Sequence, residues 1–108
     1  MPFAVHLTDA AAHDLEKIGD YIARHDGPRR ALDVLSRIEQ AFQALSELPA
    51  RGSYPEELLE FGIREYREVF FKPYRIIYRV KDEDVYVSVI ADGRRDMRAL
   101  LEQRLLGI

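Results

Sequence analysis

The stretch YRIIYRVKDEDVYVSVIADGRRD, residues 74–96, decides the fold of this chain. Two apolar runs with alternating polar residues, 74–81 and 85–91, flank the acidic triplet 82–84. Alternation of this kind is typical of half-buried strands, and Asp is favoured in tight turns because its side chain bonds to the local backbone. The stretch therefore predicts a β-hairpin.

The first strand of this hairpin carries guanidinium groups on one side. Successive side chains of a strand point to opposite faces of the sheet, so Tyr74, Ile76 and Tyr78 share one face. Arg75 and Arg79 then share the other face. The pattern predicts one face in the core and an open face that carries a solvated ladder of arginines.

The flanking sequence completes an α+β pattern. Upstream, it predicts a short strand, a helix, a second helix that Pro49 ends, one long loop and a further strand, and a closing helix begins at Asp96 downstream. The upstream strand, two helices, loop and further strand are predicted, in that order, at 3–7, 9–25, 28–48, 49–62 and 63–71. The order β-α-α-β-β-β-α predicts a twisted antiparallel sheet with an N-terminal αα-hairpin packed on one face.

Length and composition favour one soluble domain. The 108 residues contain no cysteine and have a formal net charge of −3, and their length suits a single domain spanning residues 1–108. The first residues do not resemble a signal peptide, and no apolar run approaches the roughly 20 residues that span a bilayer. We therefore expect a cytoplasmic protein.

Motifs for conventional catalysis are missing from the sequence. The histidines at positions 6, 13 and 25 are scattered over a strand and a helix, without the spacing of a zinc site. The glycines form no phosphate-binding loop, and no serine occupies a nucleophile elbow. The sequence predicts no metal, no cofactor and no catalytic residue, and the acidic residues at 56, 57 and 60 are expected on a solvated loop or helical turn.

The arginines leave two interpretations open. Each guanidinium can bind a phosphate or a carboxylate with two hydrogen bonds, which favours a binding surface. The alternative is pairing across strands with Glu65 or Glu68, although exposed ion pairs contribute little to stability. Arg94 and Arg95, where a strand passes into a helix, favour binding.

The segments YREVFFKPYRIIYRV and GRRD resemble the ParE/RelE superfamily of toxins from bacterial toxin–antitoxin modules, and most closely the ParE branch. The opening VHLTDAAAHDLEKIGDYIAR and the helical hairpin also match that layout, so the resemblance covers nearly the whole chain. It implies the same RelE/ParE-like fold. RelE-like members cleave messenger RNA on the ribosome, whereas ParE-like members inhibit DNA gyrase and block replication.

Residue types at the positions of the RelE-like nuclease site favour the ParE branch. Arginine is kept at Arg75 and Arg95, but Tyr66 and Glu68 replace two lysines and Leu101 replaces a tyrosine. A glutamate would repel a scissile phosphate, and leucine transfers no proton. Relatives often have histidine where this chain has Asp92, so a role for that histidine is not carried over.

The resemblance thus implies a gyrase-inhibiting toxin of a plasmid-stabilisation type of module, neutralised by a ParD-like antitoxin in a hetero-oligomer. Contact with nucleic acid is expected only within the gyrase or ribosome complex. The alternatives are a RelE-like ribosome-dependent endoribonuclease and a degenerate homologue that only binds antitoxin. The expected target contacts are Arg67, Arg75, Arg79, Arg94 and Arg95. The expected antitoxin contacts are Tyr21, Arg75 and Arg79.

Overall fold

A computed structural model describes residues 2–107 as one four-stranded sheet with helices on both faces. The strands are β1 (Ala4–Leu7), β2 (Arg67–Phe71), β3 (Tyr74–Lys81) and β4 (Asp84–Asp92), and they lie side by side in the order β1-β4-β3-β2. The predicted hairpin is the centre of this sheet, because β3 and β4 pair in antiparallel fashion along their length.

The helices follow the predicted order with one addition. They are α1 (Asp9–Asp26), α2 (Pro28–Gln43), α3 (Glu56–Leu59) and α4 (Met97–Leu101); α2 continues into the 3₁₀ turn Ala44–Ser46, and α4 into the π-helical turn Glu102–Leu106. The α+β arrangement is confirmed, and α3 is the addition, since it lies within the predicted loop. In the part of the chain described, no helix is long and apolar enough to cross a membrane.

Local sequence explains the helical hairpin. The hydroxyl of Thr8 accepts a hydrogen bond from the backbone N–H of Ala11 at 3.1 Å, which caps the start of α1. Gly27 separates the helices with a φ of 94°, a conformation that favours glycine, and Pro28 begins α2. The helices approach closely at Gly19, where an added Cβ would lie 2.9 Å from a methyl carbon of Leu35.

The prediction of an antiparallel sheet holds for three strands and is wrong for the first. β1 pairs with β4 in parallel, with Ala4 opposite Asp84 and Leu7 opposite Val87. Short loops impose antiparallel pairing on the β2–β3–β4 meander. No such turn joins β1 to β4, and the helical hairpin and two strands lie between them in the chain, so local sequence does not fix the direction of β1.

A β-bulge in β4 changes which side chains face the helical hairpin. Ile77 pairs with Val89 and Tyr78 pairs with Val87, so Ser88 is an extra residue in β4. Beyond an extra residue, the alternation of side chains between the two faces of the sheet is reversed. Val85, Val87 and Ile90 therefore pack with the helical hairpin, whereas Val89 and Ala91 pack on the opposite face.

The opposite face is covered, so the prediction of an open face is wrong. A second apolar cluster fills it, and Ile77, Leu58 and Leu101 are all fully buried there. Leu58 comes from α3 and Leu101 from α4, so both short helices cover the face that carries Arg75. The alternation of residues along the strands did not predict this layer, because α3 and α4 are short and each contributes only a few apolar residues to it.

Phe42→Ala should destabilise the domain by about 3 to 5 kcal/mol, because it leaves a ring-sized cavity in the main core. Phe42 is only 3% exposed and belongs to the apolar cluster between the helical hairpin and the sheet. Urea denaturation followed by circular dichroism measures the free energy of unfolding.

Phe70→Ala is the matched control, because that ring is 50% exposed. It should lower the free energy of unfolding clearly less than Phe42→Ala does. Equal losses for the two variants would show that the core does not lie where the structure places it.

Candidate functional site

The predicted arginines lie in three separate places rather than on one ladder. Arg75 is enclosed by α3 and β2, through Glu57 and Glu68. Arg67 and Arg79 both line a depression near the start of β2. Arg94 and Arg95 line a cleft beside α1, on the side of the sheet that packs against the helical hairpin. Each place offers a different chemistry.

Arg75 is the centre of an ion cluster inside the fold. Its two terminal nitrogens donate to both carboxylate oxygens of Glu57 at 2.7 and 2.8 Å, and its Nε donates to Glu68 at 2.7 Å. The side chains of Arg75, Glu57 and Glu68 are only 14%, 23% and 7% exposed. Gly93 packs against the aliphatic part of Arg75, since a Cβ there would lie 2.9 Å from its Cδ.

The two carboxylates of this cluster have pKa values shifted in opposite directions. Hydrogen bonds to Glu57, and then to Glu68, raise the pKa of Arg75 well above its ordinary range, so it stays charged. The same bonds lower the pKa of Glu57. The pKa of Glu68 is raised instead, because burial outweighs its hydrogen bond to Arg75. Arg75 neutralises buried carboxylates and has no free donor pair for a partner.

Glu57 is a residue that the sequence analysis missed. It was expected on a solvated surface, and that expectation is wrong. Glu57 lies 18 residues from Arg75 in sequence, and nothing in the local pattern of α3 distinguishes it from Glu56. The pairing of Arg75 with Glu68 corresponds to the alternative that the sequence left open.

Arg67 holds a loop in place. It donates to the carbonyl of Gly52 at 2.9 Å and to the hydroxyl of Tyr54 at 3.0 Å, and its guanidinium lies 4.5 Å from the centre of the Tyr54 ring. Gly52 also donates its N–H to the buried hydroxyl of Tyr78 at 3.0 Å. These partners carry no charge, so they do not compensate the positive charge of Arg67.

A cleft of about 550 Å³ brings together predicted residues from distant parts of the chain. Tyr21 of α1 and the arginines at 94 and 95 line it, and Ile18, Ile22 and Ile90 contribute apolar surface. We call this the arginine–tyrosine cleft. The Tyr21 ring is 60% exposed and stacks on His25 with ring centres 4.1 Å apart, which limits its motion.

The turn after β4 presents both arginines of the cleft. β4 ends at Asp92, and Asp96 caps α4 by accepting from the N–H of Ala99 at 3.1 Å, so the turn is fixed at both ends. Arg94 pairs with Asp92 at 2.5 Å while its side chain remains 79% exposed. The hydrogen bond from Arg94 lowers the pKa of Asp92.

Arg95 is the most available of the predicted contacts. Its side chain is exposed, and among residues 2–107 no ion pair or side-chain hydrogen bond holds its guanidinium. The cleft thus offers an arginine that is unpaired within residues 2–107, an aromatic ring and an apolar floor, and two of the three aspartates in its lining, Asp14 and Asp92, are paired with arginines. This arrangement suits a peptide or protein surface with carboxylates and apolar side chains.

The positions that a RelE-like nuclease would use do not form an acid–base site. Leu101 is fully buried in the second apolar cluster, and Tyr66 packs against the same cluster. Glu68 is bound to Arg75. Within the described residues, no group of three or more His, Asp or Glu side chains is arranged to hold a metal ion.

Another contact that the sequence did not reveal fixes the C-terminal turn. Arg104 donates to both carboxylate oxygens of Asp14 at 2.9 and 3.0 Å, and to the carbonyl of Ser88 at 2.8 Å. Asp14 also accepts from the backbone N–H of Ile90 at 3.0 Å. These bonds satisfy the backbone around the bulge and tie α1 to the C-terminal turn.

Comparisons with known proteins agree with this fold. The profile of the ParE toxin of the type II toxin–antitoxin system parDE matches residues 5–97. Toxin ParE3 of Caulobacter vibrioides is 31% identical over 97 residues, which cover 90% of this chain and 93% of that protein.

Two solved structures share the architecture. A chain of the chromosomal ParDE system from P. aeruginosa superposes with a TM-score of 0.72 at 22% identity, covering 83% of this chain and 95% of that one. A chain of the RelBE2 toxin–antitoxin complex from Mycobacterium tuberculosis gives a TM-score of 0.56 at 26% identity, covering 85% and 99%. The first likeness shows the fold alone.

Arg75→Ala should destabilise the protein by about 3 to 5 kcal/mol at pH 7, because it leaves buried carboxylates without a counter-ion. Losing Arg75 raises the pKa of Glu68 further above its ordinary value of 4.5 and removes the cause that lowers the pKa of Glu57. The folded variant then binds more protons than the unfolded chain above pH 4.5, so its stability falls as the pH rises.

The free energy of unfolding of this variant should therefore approach that of the unmodified protein as the pH falls from 7 toward 4.5. Urea denaturation at several pH values tests this. Arg79→Ala is the control, because no ion pair involves Arg79 within residues 2–107. A variant at position 75 that is as stable as this control would show that the cluster does not support the fold.

Proposed function

The chain belongs to the ParE toxin family of type II toxin–antitoxin systems, and we propose that it inhibits DNA gyrase and is neutralised by a ParD-like antitoxin. The toxin acts in the bacterial cytoplasm by binding, without chemistry of its own. Its contacts with gyrase are made through the arginine–tyrosine cleft, chiefly by Arg94 and Arg95.

The observation that carries this proposal is the contrast between Arg75 and Arg95. Both positions hold arginine in the nuclease relatives that the sequence resembles. Here Arg75 is saturated by Glu57 and Glu68, whereas Arg95 is exposed beside an apolar cleft. A site for phosphodiester cleavage needs several groups around one phosphate, and a buried glutamate beside Arg75 opposes that use. An exposed arginine whose guanidinium has no partner within residues 2–107 supports recognition of a protein surface.

The cleft also supports a mechanism for neutralisation. Tyr21, the expected antitoxin contact, lines the same cleft as Arg94 and Arg95. An antitoxin segment that covers the Tyr21 ring and pairs its acidic residues with these arginines would occupy the gyrase-binding surface directly. The ParDE system and the RelBE2 toxin–antitoxin complex, whose chains share this fold, support an antitoxin as the partner.

The contact set proposed for the target differs from the sequence expectation. Arg75 is assigned to the fold because both edges of its guanidinium are occupied by carboxylates. Arg67 and Arg79 lie in a separate depression and are not part of the cleft. The antitoxin contact at Tyr21 is retained.

Arg95→Ala should lower gyrase inhibition at least tenfold while the domain stays folded. A hydrogen bond to a charged group contributes about 1.5 to 3 kcal/mol, which corresponds to a factor of about 10 to 100 in binding. The measurement is the toxin concentration that gives half-maximal trapping of gyrase–DNA cleavage complexes.

Arg29→Ala, an exposed arginine of α2 that does not line the cleft, should leave inhibition unchanged. If the variant at position 95 is unfolded, Arg95 is a structural residue. If it is folded and fully active, the cleft is not the gyrase contact.

Tyr21→Ala should weaken antitoxin binding at least tenfold, because truncation of a central interface tyrosine typically costs 2 kcal/mol or more. Titration of the purified toxin with its antitoxin by calorimetry gives the affinity. Leu48→Ala is the control, since that side chain is also exposed but does not line the cleft. Antitoxin and gyrase should also compete, and a ternary complex of all three proteins would contradict neutralisation by occlusion.

The two alternatives give different results in simple assays. Mapping messenger RNA 5′ ends in a translation reaction should show no new cuts, and codon-spaced cuts that disappear in a folded Arg95→Ala variant would support the nuclease instead. Expression without antitoxin should stop growth. Normal growth at a confirmed soluble level would support the degenerate homologue.

A further inference from the structure

A second groove, of about 490 Å³, lies on the sheet face opposite the helical hairpin, between the β3–β4 hairpin and the C-terminal turn. β3 contributes Arg79 and Lys81, β4 contributes Tyr86, and Tyr66 lines it from the residues before β2. We call this the basic groove. None of these side chains takes part in the arginine–tyrosine cleft.

The cations of the basic groove are not neutralised by the fold. Within residues 2–107, neither Arg79 nor Lys81 makes an ion pair. Asp84 lies opposite Lys81 across the strands, but its carboxylate bonds to His6 at 2.8 Å and makes no ion pair with Lys81, so its negative charge stays at the end of the groove. Arg104 also lines the groove, and its charge is balanced by Asp14.

The positive charge continues beyond the groove. Arg79 also lines the adjoining depression together with Arg64 and Arg67, and the single carboxylate of that depression is Glu65. Arg67 is bound only to uncharged groups. Four cations that make no ion pair within residues 2–107 therefore line two adjoining cavities, with Glu65 as the one carboxylate among them, in a protein whose formal net charge is −3.

We infer that the basic groove binds the sugar–phosphate backbone of a nucleic acid strand. A row of arginines and lysines replaces the counterions of the phosphates, which makes binding favourable and dependent on salt. Tyr66 and Tyr86 are partly exposed in the same groove. The Tyr86 ring stacks on His6 with ring centres 5.2 Å apart, and a bound base would extend this stack. This binding site is independent of the proposed gyrase contact.

The shape of the groove favours a nucleic acid over an acidic peptide. β2 covers the outer edge of β3 only as far as Tyr78, so the uncovered backbone edge is the short stretch 79–81. This stretch is shorter than a usual strand of about five to six residues, which disfavours addition of a peptide strand. Its aliphatic side chains are only Leu105 and Ala10, and the rest of its apolar surface comes from tyrosine rings and the stems of cations, unlike the groove that holds the apolar face of an amphipathic helix. The arginine–tyrosine cleft, by contrast, has several isoleucines on its floor.

The test uses the purified full chain and fluorescein-labelled oligonucleotides in fluorescence anisotropy. The probes are a 20-nucleotide single-stranded DNA, the matching duplex and the matching RNA at 50 mM salt. We expect binding to at least one probe, with log K falling as log salt rises, by about 0.7 to 0.9 per phosphate contact.

The double variant Arg79→Ala, Lys81→Ala should weaken this binding at least tenfold and reduce the salt slope by about 1.4 to 1.8. The matched control, Arg29→Ala with Lys72→Ala, removes the same charge from exposed positions outside the groove and its adjoining depression and should change the affinity less than twofold. Thermal melting confirms that both proteins are folded.

Three outcomes would overturn the inference. The first is no binding to any probe at 50 mM salt, and the second is an equal loss in both double variants, which would show a diffuse charge effect. The third is binding of a polyglutamate peptide with the same affinity and the same dependence on Arg79 and Lys81. Arg95→Ala should bind the oligonucleotides normally, so failure here and failure of the gyrase proposal are distinguishable.

Discussion

The extra residue at Ser88 is the constraint on which the rest of the structure depends. A regular β4 would place Val85, Val87, Val89 and Ala91 on one face of the sheet. The bulge directs Val85, Val87 and Ile90 to the helical hairpin and Val89 and Ala91 to the opposite face. Both faces of the sheet then carry apolar side chains that must be buried, and α3 and α4 cover the second one.

Covering the second face changes what its arginines can do. Arg75 emerges beside α3, where water is largely excluded, and a cation in that place needs carboxylate partners. Glu57 and Glu68 supply them, and burial raises the pKa of Glu68 despite its hydrogen bond to Arg75. Arg79, four residues along the same strand, lies beyond the cover and makes no ion pair within residues 2–107. The same residue type on one strand is thus structural at one position and free to bind at another.

The molecule presents two surfaces of different chemistry on the two sides of the sheet. The arginine–tyrosine cleft combines guanidinium groups with an apolar floor, which fits a protein partner, and it explains how an antitoxin could block a target without changing the toxin's shape. The basic groove has cations and tyrosine rings but only two aliphatic side chains, Ala10 and Leu105, which fits a phosphate backbone with stacked bases. Because the two surfaces share no residue, each can be altered without changing the other.

The sequence by itself determined the β3–β4 hairpin, both long helices and their turn at Gly27 and Pro28, because alternation, helical spacing and turn residues act over a few positions. Its resemblance to the ParE branch gave the family. The tertiary structure alone decided the parallel direction of β1, the role of Glu57, the meeting of Tyr21 with Arg94 and Arg95, and the Asp14–Arg104 pair. These features join residues far apart in the chain, and a charged side chain carries no local sign of whether a counter-ion or water will meet it once the sheet is covered.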